Sequence, residues 1–90
     1  MNSVDRRPST VDVVLYAKPG CHLCEEAKAE IDSLRSERNF NLTEVDISTD
    51  PILFHEYGER IPVIEVNGKE AFELGVDRIA LSQLLDTVAP

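Results

Sequence analysis

The stretch KPGCHLCEEAKAEI, residues 18–31, decides how the rest of the chain reads. Ahead of it, Val11, Val13, Val14, Leu15 and Tyr16 form a short, β-branched, nearly unbroken apolar run, as expected of a central strand covered on both faces. Pro19 and Gly20 break that run. From His22 onward, Leu23, Ala27, Ile31 and Leu34 recur at i, i+4, i+8 and i+11, which predicts one face of an amphipathic helix ending near Asn39. The chain's two cysteines, Cys21 and Cys24, therefore stand three positions apart where a strand gives way to a helix.

Residues 42–47 read as a second, half-buried strand, and strand, helix and strand at this spacing imply a right-handed βαβ unit with parallel strands. Asp50 followed by Pro51 predicts an N-cap with proline at the first helical position, and Gly58 is expected to stop that short helix. Residues 60–66, RIPVIEV, read as a third strand, turned by Asn67-Gly68 into a fourth at about residues 70–74. Asp77 is expected to cap a last helix on which Leu81, Leu84, Leu85 and Val88 fall at i, i+3, i+4 and i+7. Residues 1–10 are polar, contain Pro8 and show no period, so they read as a flexible arm ahead of a domain spanning 11–90. The resulting fold is α/β, in the order β-α-β-α-β-β-α: a four-stranded mixed sheet with helices on both faces.

Ninety residues support a single core and leave no room for a second catalytic domain. An apolar content of 42% beside 29% charged residues suits an ordinary globular protein, and no apolar run approaches the ~18 residues that span a bilayer. The N-terminal segment lacks an apolar stretch of ~7 residues, so it does not read as a secretory signal and the expected address is the cytoplasm. In that compartment thiols stay reduced, and a lone CxxC points to catalysis or metal binding rather than to a structural bridge. The net charge of −8 repels phosphate backbones and argues against a nucleic-acid partner. It reads as a solubility feature of a monomer, or as steering toward a basic partner such as a reductase.

A thiolate is the nucleophile of disulfide exchange, so a redox cysteine needs a pKa brought down from ~8.5. A helix that starts near Cys21 aims its free backbone N–H groups and the positive end of its dipole at that sulfur. Cys24, one turn further in, is within reach of Cys21 to close or open a disulfide, but is more buried and a poorer attacker. Lys18 and His22 add positive charge beside the pair, whereas Glu25 and Glu26 oppose it. Idle thiols are the plainer alternative for the pair.

At this point the chain resembles the glutaredoxin-like members of the thioredoxin-fold superfamily, over residues 11–88. LYAKPGCHLCEEAK is similar to that family's strand-Lys-Pro-x-Cys-x-x-Cys-helix segment, ERIPVIEVNGKE to its Pro-containing third strand and Asn-Gly turn, and LGVDRIALSQLL to its glycine-rich turn before the last helix. The resemblance implies a thioredoxin-like fold with a cis Ile61-Pro62 bond beside the cysteines, which costs only ~0.5–1 kcal/mol at proline. It also implies that the backbone of Ile61 pairs with a substrate segment in β fashion.

The resemblance further implies glutathione as a possible co-substrate. Lys18 matches the family's residue that meets a glutathione carboxylate, Ile61 the one offering its backbone to the cysteinyl part, and Val76 with Asp77 the turn receiving the γ-glutamyl end. The family's Thr-Val-Pro is Arg60-Ile61-Pro62 here, its Gly-Gly pair is Leu74-Gly75, and its Pro-Tyr between the cysteines is His22-Leu23. Leu74 removes one of two glycines that let backbone and ligand approach closely, and Arg60 offers itself as a carboxylate clamp.

The expected activity is thiol–disulfide oxidoreduction on protein disulfides or glutathione mixed disulfides, with Cys21 attacking and Cys24 resolving. It requires no bound metal or organic cofactor, and glutathione or a thioredoxin-reductase-type enzyme is expected to restore the dithiol. Two other classes stand beside it. A tetrahedral zinc site wants four ligands, which one chain with two cysteines and two histidines supplies poorly, so the metal version is a [2Fe–2S] cluster shared between two copies through Cys21. The third is a binding module without turnover. Tyr16 reads as packing, His55 as a solvated side chain, and the scattered carboxylates offer no convincing catalytic pair.

Overall fold

The computed structural model describes residues 11–88. The arm predicted at residues 1–10 and the last two residues lie outside the described part. The elements run β1 (Asp12–Ala17), α1 (His22–Arg35), β2 (Asn41–Asp46), a 3-10 turn (Ile47–Thr49), α2 (Pro51–Tyr57), β3 (Val63–Val66), β4 (Lys69–Glu73) and α3 (Arg78–Val88). The strands lie in the order β2-β1-β3-β4. β1 is central, parallel to β2 and antiparallel to β3, and β3 pairs antiparallel with β4. This is the predicted β-α-β-α-β-β-α fold.

The alternation of side chains along β1 sorts the interior into two clusters. Val13 and Leu15 join Ala27, Ile31, Leu34, Ile64, Leu81 and Leu85, so α1 and α3 cover one face of the sheet. Tyr16 joins Ile47, Ile61, Leu53, Tyr57 and both cysteines on the other face, where α2 lies. Cys24 thus connects α1 to the second cluster.

The buried stripe of α1 is Cys24, Ala27, Ile31 and Leu34, while Leu23 is 46% exposed. This corrects the reading that began the stripe at Leu23. Around the helix Leu23 lies about 20° from buried Leu34, so angle does not exclude it; one position on, Cys24 is held inward by its bond to Cys21 and its packing against Ile47 and Ile61. The helix also ends at Arg35 rather than near Asn39. Ser36 turns its hydroxyl onto the Ser33 carbonyl at 2.7 Å, and the N–H groups of Glu37 and Arg38 both return to the Leu34 carbonyl at 2.9 Å. Those short-range bonds tighten and close the last turn.

β2 stops one residue earlier than read, because the Asp46 carboxylate accepts from the Ser48 N–H at 2.9 Å and the Ser48 hydroxyl at 2.6 Å. The chain turns there, and Ile47 drops into the second cluster, fully buried. Asp50 caps α2 as predicted, accepting from the Ile52 N–H at 2.9 Å. Gly58 closes α2 without a left-handed backbone (φ −56°). Its role is close approach, since a Cβ there would lie 2.5 Å from the Phe54 carbonyl oxygen.

The third strand begins at Val63 rather than residue 60, since pairing with β1 and β4 starts there and proline at 62 has no N–H to give; Ile61-Pro62, just before it, is cis. Asn67 (φ 52°) and Gly68 (φ 85°) both take the left-handed region, as a two-residue type I′ hairpin turn requires. Asn67 also anchors the turn to β1, its side-chain oxygen accepting from the Asp12 N–H at 2.9 Å.

Candidate active site

Gly20 (φ 79°) reverses the chain between the end of β1 and the start of α1, a conformation that side-chain-bearing residues rarely adopt. Cys21 follows as the N-cap of α1 with extended backbone (φ −94°, ψ 109°). Its sulfur accepts from the Cys24 N–H at 3.2 Å. The thiol sulfur therefore occupies the place that a serine or aspartate oxygen takes in an ordinary N-cap. Cys21 and Cys24 are joined in a disulfide, with Cα atoms 5.2 Å apart. Cys24 is 4% exposed, and Cys21 is partly open to solvent. One sulfur is thus reachable and hydrogen-bonded by a free helix N–H, and the other is held behind it.

Around the pair, Ile61 packs against Cys24 and Ile47. Pro62 is fully buried. The carbonyls of Arg60 and Pro62 both accept from the Leu74 N–H, at 3.0 and 2.8 Å, so the proline loop and the end of β4 form one wall. Lys18 lies on the rim with its ammonium 5.6 Å from the centre of the Phe54 ring. His22 is exposed and pairs with Glu26 at 2.7 Å. Val76 packs into the α1/α3 cluster, and Asp77 caps α3 by accepting from the N–H groups of Ile79 and Ala80 at 3.0 and 3.1 Å. Neither belongs to the cluster that holds the cysteines. A cavity of about 400 Å³ beside Cys24 is lined by Lys18, Glu25, Lys28, Glu44 and Asp46 among others.

Arg60 lies in a setting that inspection of the sequence missed. Its guanidinium grips both oxygens of Glu70, at 2.8 and 3.2 Å, and reaches Glu73 at 3.3 Å and Glu56 at 3.4 Å. It also lies 5.2 Å from the centre of the Tyr57 ring. Hydrogen bonds donated to Glu70 and Glu73 raise Arg60 still further above its ordinary value, and Arg60 in turn holds Glu70 below the usual carboxylate range. The i,i+4 spacing of Glu56 and Arg60 was a visible signal for one of these partners. The other two arrive through the β3–β4 hairpin, whose register shifts between Ile64 and Glu65.

Tyr16 stacks on Tyr57 with ring centres 4.2 Å apart, and their hydroxyls donate to the two oxygens of Glu65 at 3.2 and 3.4 Å. Burial raises both phenols above their ordinary range, so each stays protonated at neutral pH and donates. This cluster is a packed wall behind the disulfide.

The family model of the glutaredoxin-like domain (DUF836) matches residues 12–87, which take in the cysteine pair, the proline loop and α3 up to its last residue. The chain belongs to the glutaredoxin-like family. Among proteins similar to this glutaredoxin-like chain, the uncharacterized protein Rv0508 of Mycobacterium tuberculosis is 30% identical over 67 residues, 69% of each chain. The crystal structure of target protein XcR50 from X. campestris is 32% identical with a TM-score of 0.71, covering 87% of this chain and 99% of its own. The solution structure of Ne2328 from Nitrosomonas europaea is 28% identical with a TM-score of 0.72, covering 93% and 98%. A mutant thioredoxin from Halobacterium salinarum, at 18% identity, has a TM-score of 0.69 over 91% of this chain and 77% of its own, a likeness of fold alone. A thioredoxin fold carrying Cys21 and Cys24 as a joined CxxC pair points to redox activity.

Within this glutaredoxin-like fold Leu74 is out of place in a telling way. It takes a left-handed backbone (φ 64°) and is 54% exposed. A side chain in that region costs roughly 1–2 kcal/mol, which is why glycine suits this position. Leu74→Gly is therefore expected to raise stability by up to about 1 kcal/mol after glycine's greater unfolded freedom is counted, read as a higher midpoint of urea unfolding. A lowered midpoint would mean that the leucine's contacts outweigh the backbone relief.

Proposed function

We propose that this protein is a thiol–disulfide oxidoreductase that reduces disulfides in proteins or glutathione mixed disulfides. The observation that carries the reading is the disulfide between a half-exposed N-cap cysteine and a buried cysteine one turn on. In the reduced protein the Cys21 thiolate attacks one sulfur of the substrate disulfide. A Cys21–substrate disulfide forms, and the other substrate sulfur leaves as a thiolate that takes a proton from solvent. Cys24 then gives up its proton and attacks the Cys21 sulfur. The substrate's remaining sulfur leaves as a thiol, and the Cys21–Cys24 disulfide has delivered two electrons.

Both electrons come from the two sulfurs, so the exchange itself calls for no metal or organic cofactor. The dithiol is restored by two glutathione molecules or by a thioredoxin-reductase-type enzyme, which fits a reducing compartment such as the cytoplasm. Lys18 and the backbone of Ile61 are the groups proposed to meet the substrate, with Pro62 shaping the loop and Val76 and Asp77 as its far end.

The test is a pair of assays: reduction of a glutathione mixed disulfide with glutathione and its reductase, and reduction of a protein disulfide with thioredoxin and its reductase system replaced by this protein and thioredoxin reductase. Turnover well above the reductant alone in either assay is the expected result. No acceleration in either, nor with dithiothreitol as the donor, removes the reading.

A further inference from the structure

We infer that the glutamates gathered around Arg60 set the substrate class: the site takes disulfides lying in cationic polypeptide segments and discriminates against glutathione and its mixed disulfides. This rests on the oxidoreductase reading and narrows it. Glutathione carries more carboxylate than ammonium charge, and a site that holds it needs a cation free to pair with a carboxylate. Arg60 is the one residue on the proline loop with that charge, and its two terminal nitrogens are already taken up by Glu70, Glu73 and Glu56. The grip of Glu70 is two-pronged, the strongest geometry available to an arginine and a carboxylate. A ligand carboxylate would have to displace it while facing the like charges of Glu73 and Glu56.

The same loop is close to the reacting sulfurs through Ile61, which packs on Cys24, and through Leu74, whose N–H joins the Arg60 and Pro62 carbonyls. Glu73 directly precedes Leu74, and Glu25 directly follows Cys24. On the α1 side His22 is engaged by Glu26, and Lys28 by Asp32 at 3.1 Å. Arg60 and Lys28 are thus held by the chain's own carboxylates, which leaves Lys18, over the Phe54 ring, as a single cation on the rim to meet both the glycyl and the γ-glutamyl carboxylate of glutathione. What an incoming segment meets is a carboxylate-rich rim on a molecule of net charge −8. Such a field accelerates encounter with positive partners and slows negative ones.

The test uses the reduced protein in single-turnover exchange with four disulfides: oxidised glutathione, and three symmetric disulfide peptides identical except for flanking lysines, serines or glutamates. At low salt the lysine peptide is expected to react about tenfold or more faster than the glutamate peptide, with oxidised glutathione among the slow group. At 1 M salt, where the screening length is about 3 Å, the peptide rates converge. Glu70→Gln/Glu73→Gln removes two of the three carboxylates on Arg60, leaving Glu56, and is expected to raise the rate with oxidised glutathione about tenfold while lowering that of the lysine peptide.

Equal peptide rates at low salt, a preference for the glutamate peptide, or an unchanged glutathione rate in the double variant would each overturn the inference. The wild-type charge series needs no variant, so a missing preference for the lysine peptide overturns the inference even if the double variant folds poorly. Reaction with none of the four disulfides removes the oxidoreductase reading itself, whereas equal reaction with all of them removes only the charge preference.

Discussion

Serine in place of Cys21 is expected to bring disulfide reduction down to the rate of the reductant alone, a loss on the order of 10³-fold or more, as for other enzymes deprived of their nucleophile. A hydroxyl at this N-cap accepts the Cys24 N–H as well as the sulfur does, so the fold has no reason to suffer. The loss is chemical. Cys24→Ser is expected to behave differently: the exposed thiol still attacks, and the protein accumulates as a mixed disulfide with its substrate, visible as an added mass under non-reducing conditions. Trapping by Cys21→Ser and release by Cys24→Ser would reverse the assigned roles. The asymmetry follows from exposure, since Cys24 is 4% exposed and enclosed by Ile47 and Ile61.

The largest expected effect on stability is at Ile31. This side chain is fully buried on the inner stripe of α1, packed in the cluster that includes Leu15, Ile64 and Leu81. Ile31→Ala removes most of its side chain from a site enclosed by sheet and helix, which typically costs about 2–5 kcal/mol once the cavity left behind is included. A small domain has only about 5–15 kcal/mol in total. With a urea slope of about 1–2 kcal/mol/M for a chain of this size, the midpoint is expected to fall by about 1–5 M. Ile52→Ala serves as the control, because Ile52 is 78% exposed on α2 and its loss is expected to stay within about 0.5 kcal/mol. A shift at Ile31 no larger than that at Ile52 would mean that the α1 face is not the closed interior described above.

Local signals in the sequence were enough where the chain's conformation is decided by neighbours. Asn67-Gly68 forms the hairpin turn that its dipeptide predicts, and Asp50, with Pro51 after it, caps α2 with its own side chain. The three apolar residues Ala27, Ile31 and Leu34 define α1 well enough to place its start at the cysteines. The misreadings have a common physical origin in hydrophobicity taken without tertiary contacts or hydrogen bonding. Leu23 was the more apolar residue, yet Cys24 is held inside by its bond to Cys21 and its packing against Ile47 and Ile61, and small sulfur-bearing side chains pack inside readily. Ser36 and Asp46 end their elements by bonding to nearby backbone, an option that an apolar period does not register.

The site divides along the same line. The cysteine pair at the helix start was legible because a CxxC and its helix entry are set by adjacent residues, whereas the cis Ile61-Pro62 bond was expected only from the family resemblance. The setting of Arg60 was not legible, because Glu70 and Glu73 reach it only through the register of a hairpin with a shift in its pairing. Read along the chain, these glutamates are part of an unremarked acidic scatter; folded, they turn the proline loop's cation into a closed ion cluster.

The central claim is that the first turn of α1 stabilises negative charge on the Cys21 sulfur. The most direct measurement is the rate of iodoacetamide alkylation against pH in the reduced Cys24→Ser protein, where Cys21 is the single thiol. Against an unperturbed thiol near ~8.5, the arrangement predicts a midpoint below about 7.5, with alkylation still brisk at neutral pH. A midpoint at or above ~8.5 would contradict the account, because the helix N-terminus would then give the sulfur no more help than water does.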